Sequence, residues 1–212
     1  MAAIEQYTLP LFPLNAVIFP GSRLPLHIYE ERYKTLVNEA VAGNTSFGIN
    51  LIYENKIRSI GCTVIVAAVT TVNEDGTMEI VVEGLRRYTL HGMTESDRPY
   101  HIGTISFYDD TEEHLDPSLV DAAAELYNRF VALAFKGTVH SLASFSETQL
   151  LSFVMVQKAG LELVQRQLFL TMQSENMRLK YLIRHFELML PLLNDKNRID
   201  TIIINDGYVP IT

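Results

Sequence analysis

A single cysteine, Cys62, is all the chain offers for sulfur chemistry, so no internal disulfide can form. Its place in an apolar stretch reads as a buried structural thiol rather than a reactive one. Basic runs are missing as well. The only adjacent basic pair is Arg86-Arg87, and the formal net charge is -8. With no positive footprint for a polyanion, nucleic acid and anionic membrane are not expected partners. No apolar run approaches the roughly 20 residues of a membrane-spanning helix, the longest lying near Leu150 to Val156. Met1 to Leu9 has no basic, apolar, small-residue leader, which gives the expectation of a cytoplasmic protein. The six histidines, His27, His91, His101, His114, His140 and His185, are scattered without a pair at ligand spacing, so neither a metal nor another cofactor is expected. Phosphate loop, Gly-x-Ser-x-Gly elbow and His-Glu-x-x-His helix are all absent. There is no internal repeat and no low-complexity segment.

What is present is ample core material, with 48% hydrophobic residues in 212, enough for one large domain or two modest ones. The chain is organised around Leu9 to Tyr33. Four prolines, Pro10, Pro13, Pro20 and Pro25, interrupt this apolar stretch and exclude a continuous helix, because each fixes φ and removes a backbone donor. The residues predict a strand over Pro10 to Ile18 lying partly at a sheet edge, a turn at Phe19-Pro20-Gly21-Ser22 and a second strand over Leu24 to Ile28. A helix follows from near Glu30, with Glu30-Glu31 at its positive end, Tyr33, Leu36, Val37 and Ala40 on one face, and Gly43 as its stop. Phe47 to Ile52 is a further strand.

Residues 53–59 form a polar connection. Ile60 to Val69 is β-branched and apolar on both faces, the pattern of a strand buried on both sides. Asn73-Glu74-Asp75-Gly76 supplies hairpin turn chemistry, and Thr77 to Glu83 alternates, with Met78, Ile80 and Val82 on one face. Gly84 predicts a bulge or bend before Arg86 to Leu90 resumes extended structure. Pro99 to Phe107 ends the β-rich part, and acidic residues 109–113 read as solvated. The second half is helical. Asp116-Pro117 is a cap and first-turn proline ahead of a helix ending at Gly137, and Ser146 to Gln149 matches a capping box before an apolar helix that stops at Gly160. Two more helices follow, Leu161 to Met172 and one capped by Ser174. The apolar positions of the latter are assigned to Met177, Tyr181, Ile183, Leu188 and Leu192, with Pro191 at its end.

Several of these blocks carry a resemblance. Pro-Leu-Phe-Pro-Leu from Pro10, Phe-Pro-Gly from Phe19, Leu24 to Tyr33 and Phe-Gly-Ile from Phe47 are similar in order and spacing to the opening of the amino-terminal, substrate-binding domain of the Lon protease family. Asp75 to Tyr88 and Pro99 to Phe107 resemble its next blocks, and Leu163 to Leu170 with Asn176 to Leu179 its closing helices. The likeness covers about residues 9 to 190 and is strongest to the stand-alone bacterial form that lacks the ATPase and peptidase domains. One departure is Glu31, where relatives often carry Pro; it suits a helix start.

The expected fold is α+β: a β-rich curled sheet or pseudo-barrel over residues 1–110, an α-helical bundle over residues 111–196, and a tail over residues 197–212 whose Thr201 to Ile204 suits an added strand. In the family, the resemblance implies, this domain recognises unfolded or tagged proteins and helps assemble a hexamer, while peptidase activity belongs to a separate domain. The expectation is therefore a non-catalytic binder of polypeptides, adaptor-like, acting beside a protease or chaperone component, and itself a monomer or weak homodimer. By likeness, Glu30, Glu31, Arg32 and Tyr33 are the first place to look for client contact; the competing reading is that Arg32 and Tyr33 only anchor the helix on the sheet. Glu30 and Glu31 do not make a catalytic carboxylate pair, since neighbours on a helix point about 100° apart. Arg86-Arg87 is expected to pair across the hairpin with Glu79 or Glu83. Two other functions compete: a small-molecule binder or enzyme using a pocket between the sheet and the first helix, and an RNA-binding PUA-like module, against which the acidic balance argues.

Overall fold

In the computed structural model, residues 5–94, 96–135 and 150–193 are described. The expectations for the helix stop at Gly137, the capping box at Ser146 and the tail from residue 197 lie outside them. The chain divides into two compact units, Met1–Asp109 and Asp110–Thr212.

The first unit is a sheet that closes on itself, with one helix packed by one face against its core. Its strands are β1 (Tyr7–Leu14), β2 (Arg23–Ile28), β3 (Phe47–Tyr53), β4 (Lys56–Ile57), β5 (Ile60–Val72), β6 (Met78–Thr94) and β7 (His101–Phe107), with helix α1 (Glu31–Gly43) between β2 and β3. β1 pairs antiparallel with β7, and antiparallel pairs then run through β6 and β5 to β3. β3 returns to β1 in parallel, Leu11 to Leu14 against Gly48 to Leu51, so the path is circular. β2 joins from outside this ring and pairs with β6 alone.

β1 ends four residues earlier than expected, and Asn15 to Ile18 form an irregular passage to the turn. Gly21 takes φ 73° there, a left-handed value that glycine adopts without strain. The turn is tied to β6 by Gly21 N–H donating to the Gly84 carbonyl (2.8 Å) and Gly84 N–H donating to the Ser22 carbonyl (2.9 Å). Gly84 is needed for that approach, since a Cβ there would lie 2.1 Å from the Phe19 carbonyl oxygen. The expected irregularity is at this point, where the β5–β6 register jumps between the Cys62–Arg87 and Val64–Gly84 pairs.

α1 starts at Glu31 behind an extended Glu30, and Asn44, in the left-handed region, closes it one position beyond the expected Gly43. Its buried face holds the four predicted apolar residues and Lys34. That face packs with Phe12, Ile28, Phe47, Ile49, Val64, Met78, Ile80 and Val82 into one core. A smaller cluster gathers Leu9, Leu11, Tyr88 and Ile105. The Tyr88 hydroxyl donates to Asn50 Oδ1, and Asn50 Nδ2 donates to the Arg58 carbonyl (2.9 Å), so the buried amide is satisfied on both sides. The reading of β5 as buried on both sides is corrected: Ile60 to Val64 are buried, but Ala67 to Val72 are exposed, because β5 outruns β3 and continues with β6 as a long hairpin.

The second unit is helical: α2 (Pro117–Ala134), α3 (Leu151–Met155), α4 (Leu163–Leu170) and α5 (Glu175–Met189), with single 3₁₀ turns after α3 and α5. Asp116 caps α2 by accepting from Ser118 N–H, Pro117 sits in its first turn, and Ser174 caps α5 by accepting from Met177 N–H. Gly160, at φ 69°, breaks the chain before α4. The apolar assignment for α5 is corrected. Met177 and Leu188 are exposed, and the buried line is Glu175, Arg178, Leu179, Leu182 and Phe186. Arg178 is wholly buried because every side of its guanidinium is occupied. It donates to Ser152 Oγ, Glu175, Asp110 and the Met172 carbonyl, and it lies over the Phe153 ring, 4.4 Å from the centroid.

Candidate functional site

Where α1 starts, the first unit leaves a groove of about 390 Å³. One wall is the end of β2, Leu26, His27 and Ile28; the opposite wall is the end of β1, Phe12, Pro13 and Leu14, with Ile52 of β3. Tyr29, Glu30, Arg32 and Tyr33 close it at the α1 start. These residues meet for local reasons. Pro13 and Pro25 restrict the backbone of both walls, β2 ends at Ile28, and the chain must turn within two residues to begin α1.

Eight of the eleven lining residues are apolar or aromatic, and the three polar ones are committed elsewhere. Arg32 pairs with Glu30 (2.7 Å) and its guanidinium stacks on Tyr33, 4.5 Å from the ring centroid. His27 Nδ1 bonds to Glu79 on β6, and its ring stacks with Tyr29. Tyr33 itself packs on Phe12, with ring centroids 4.0 Å apart, and burial pushes its phenol above the ordinary value. The hydroxyl therefore stays protonated at neutral pH.

Of the residues singled out from sequence, Glu30, Arg32 and Tyr33 lie on this groove, whereas Glu31 faces Lys34 (2.8 Å) and is not among its lining. Lys34 also donates to the Asp75 carbonyl (3.0 Å), which fastens α1 to the hairpin turn. Phe12, Leu26, Tyr29 and Ile52 were not anticipated. Tyr29 carried a usable signal, an aromatic between a strand end and a helix cap. The expected pairing of Arg86-Arg87 with Glu79 or Glu83 is corrected. Arg86 bonds to Asp109, Arg87 is buried with its guanidinium near Tyr108, and the two glutamates answer His27 and Arg23 across the β2–β6 pair.

Glu30 and Arg32 answer each other and His27 answers Glu79, so the rest of the lining is apolar and aromatic surface. Among the described residues no cluster of His, Cys, Asp or Glu suits a metal ion, and no helix is long and apolar enough to cross a membrane. Burial pushes the Cys62 thiol up to about 12, far from a reactive thiolate.

Comparison with known proteins agrees with this architecture. A crystal structure of a Lon N-terminal domain protein from Xanthomonas campestris superposes with a TM-score of 0.65 at 24% identity, covering 84% of this chain and 98% of that one. The N-terminal domain of the Mycobacterium avium complex Lon protease gives a TM-score of 0.66 at 16% identity over 85% of this chain and 98% of that one. At these identities the likeness shows the fold. In sequence, the Lon protease of Parabacteroides distasonis is 33% identical over 113 residues, 50% of this chain, and the match spans 14% of that longer protein. Residues 8–187 match the family described as the ATP-dependent protease La (Lon) substrate-binding domain. With its closed sheet, its helical second unit and that match over most of its length, the chain belongs to the Lon substrate-binding domain family.

Proposed function

We propose that this chain binds non-native polypeptide and breaks no bond in it, with the groove between β2, β1 and the start of α1 as the contact surface. The observation that carries the reading is the composition of the groove: aromatic and aliphatic walls, with rim charges already paired to one another. Such a surface gains from burying apolar side chains, which a folded protein hides and an unfolded one displays. A pocket built for a small molecule would offer it several polar groups, and these polar groups are already engaged by neighbouring side chains. The chain's formal charge of -8 further disfavours RNA as the occupant. Membership of the Lon substrate-binding family supports the same reading, and a cytoplasmic adaptor feeding a protease is the setting it fits.

The test uses lysozyme unfolded by reduction and carbamidomethylation, labelled with a fluorophore and titrated with the full chain. Saturable binding is expected for the unfolded form and none for native lysozyme. Tyr29→Ala and Arg32→Ala, both at exposed positions, should weaken it several-fold. Equal binding of native and unfolded lysozyme, or none of either, would refute the proposal.

A further inference from the structure

We propose that the polypeptide held in this groove adds as a strand to the open side of β2, with the backbone of His27 as its principal anchor; this deepens the reading above and rests on it. Backbone phase on β2 is fixed by two independent contacts. Gly84 N–H donates to the Ser22 carbonyl (2.9 Å), so the even-numbered positions turn their backbone groups to β6, in the pairs Leu24–Val82, Leu26–Ile80 and Ile28–Met78. The Glu79 carbonyl, opposite His27, instead accepts from the Thr70 hydroxyl of β5 (3.0 Å), and so points away from β2. The odd positions are therefore the non-bonded pairs, in which side chains come closest, as the Arg23–Glu83 and His27–Glu79 contacts show.

It follows that the N–H and C=O of Arg23 and His27, and the C=O of Pro25, point away from β6. Among the described residues no backbone partner meets them, since β2 pairs with β6 alone. Pro25 stands where an edge strand tolerates proline, with its missing donor on the open side. Of the outward positions, His27 is the one that both lines the groove and keeps donor and acceptor. An extended segment is the occupant whose backbone matches such an edge, and its alternate side chains would enter between Leu26 and Phe12. The rim charges, already paired, favour an uncharged segment there. Six residues of β2 at about 3.3 Å each give room for a segment of about six residues.

Amide hydrogen exchange of the full chain, alone and saturated with the unfolded lysozyme, tests this. The His27 amide should exchange freely in the absence of the client and slow at least about tenfold on saturation, while Leu26 and Ile28, bonded to β6, are slow in both. His27→Pro, which removes the outward donor and spares the β6 pairing, should weaken binding about fivefold more than His27→Ala. If the client binds and the His27 amide exchanges as fast as before, strand addition is wrong while polypeptide recognition stands. If the client does not bind, the reading beneath it fails first. A His27 amide already protected in a sample of dimeric mass would give the edge to a second copy of this chain, which also overturns the proposal.

Discussion

Replacing Gly84 with alanine should dislodge the turn that delivers β2 to the sheet. The added Cβ would sit 2.1 Å from the Phe19 carbonyl oxygen and 3.0 Å from its carbon, both backbone atoms that cannot rotate away. Relief requires moving residues 19–22, which breaks the two hydrogen bonds that tie Gly21 and Ser22 to Gly84. Overpacking costs about 1–3 kcal/mol, and each lost bond about 1 kcal/mol, so the expected total is about 3–5 kcal/mol. Urea unfolding of G84A, followed by the tyrosine near-ultraviolet signal, reads this as a lower midpoint at unchanged slope. Gly92 is the control: an added Cβ meets nothing within 4 Å, so G92A should stay within about 0.5 kcal/mol of the parent. A G84A protein within about 1 kcal/mol of the parent would refute the argument, because the turn would then have another way to seat itself. Since β2 forms one wall of the groove, G84A should also bind unfolded lysozyme more weakly than G92A does.

Arg178→Ala strands Glu175 and Asp110 without their common cation and should destabilise the helical unit by about 3–5 kcal/mol, seen as early loss of helical circular dichroism in urea; a loss under about 1 kcal/mol would show that the network contributes little. Cys62, with its thiol pushed up to about 12 by burial, should react with iodoacetamide at pH 8 at least about a hundredfold slower in the native protein than in urea; equal rates would contradict its burial. Glu113 and Asp116 are held below their ordinary values, first by the Asn176 amide and by the Ser118 hydroxyl respectively. A folded value below the unfolded one means that their stabilisation is complete above about pH 4.5 and fades as pH falls through the lowered values. An acid titration of helicity should therefore be flatter in the E113Q/D116N double variant than in the parent, and superimposable curves would remove these two carboxylates from the account.

Much of the fold was legible because local chemistry and tertiary position agree. The Asn73–Gly76 turn, the Asp116-Pro117 start and the Ser174 cap each satisfy backbone groups within a few residues, so their signals survive folding unchanged. The parallel return of β3 to β1 has no such local signature; it depends on which edges remain open after the hairpins form. Burial of Arg178 was hidden for a related reason, since its partners come from residues 110, 152, 172 and 175 and an arginine on a helix normally reads as solvated. Ala67 to Val72 misled in the opposite sense, because β-branched composition marks a strand without saying where its neighbour stops. For the groove, the resemblance pointed to the helix start, and three of its four residues lie there. The facing wall, Phe12 to Leu14, belongs to an earlier strand and could be placed only by the closure of the sheet.

That closure also sets a timetable for biosynthesis. β1 meets one neighbour at β3 but must wait for β7, about ninety residues later, before its second flank is covered. At ribosomal speeds of about 5–20 residues per second, the nascent chain carries a first strand with at least one bare flank for about 5–20 s. Pro10 and Pro13, which withhold two donors along that strand, make it a poorer template for neighbouring nascent chains during the delay.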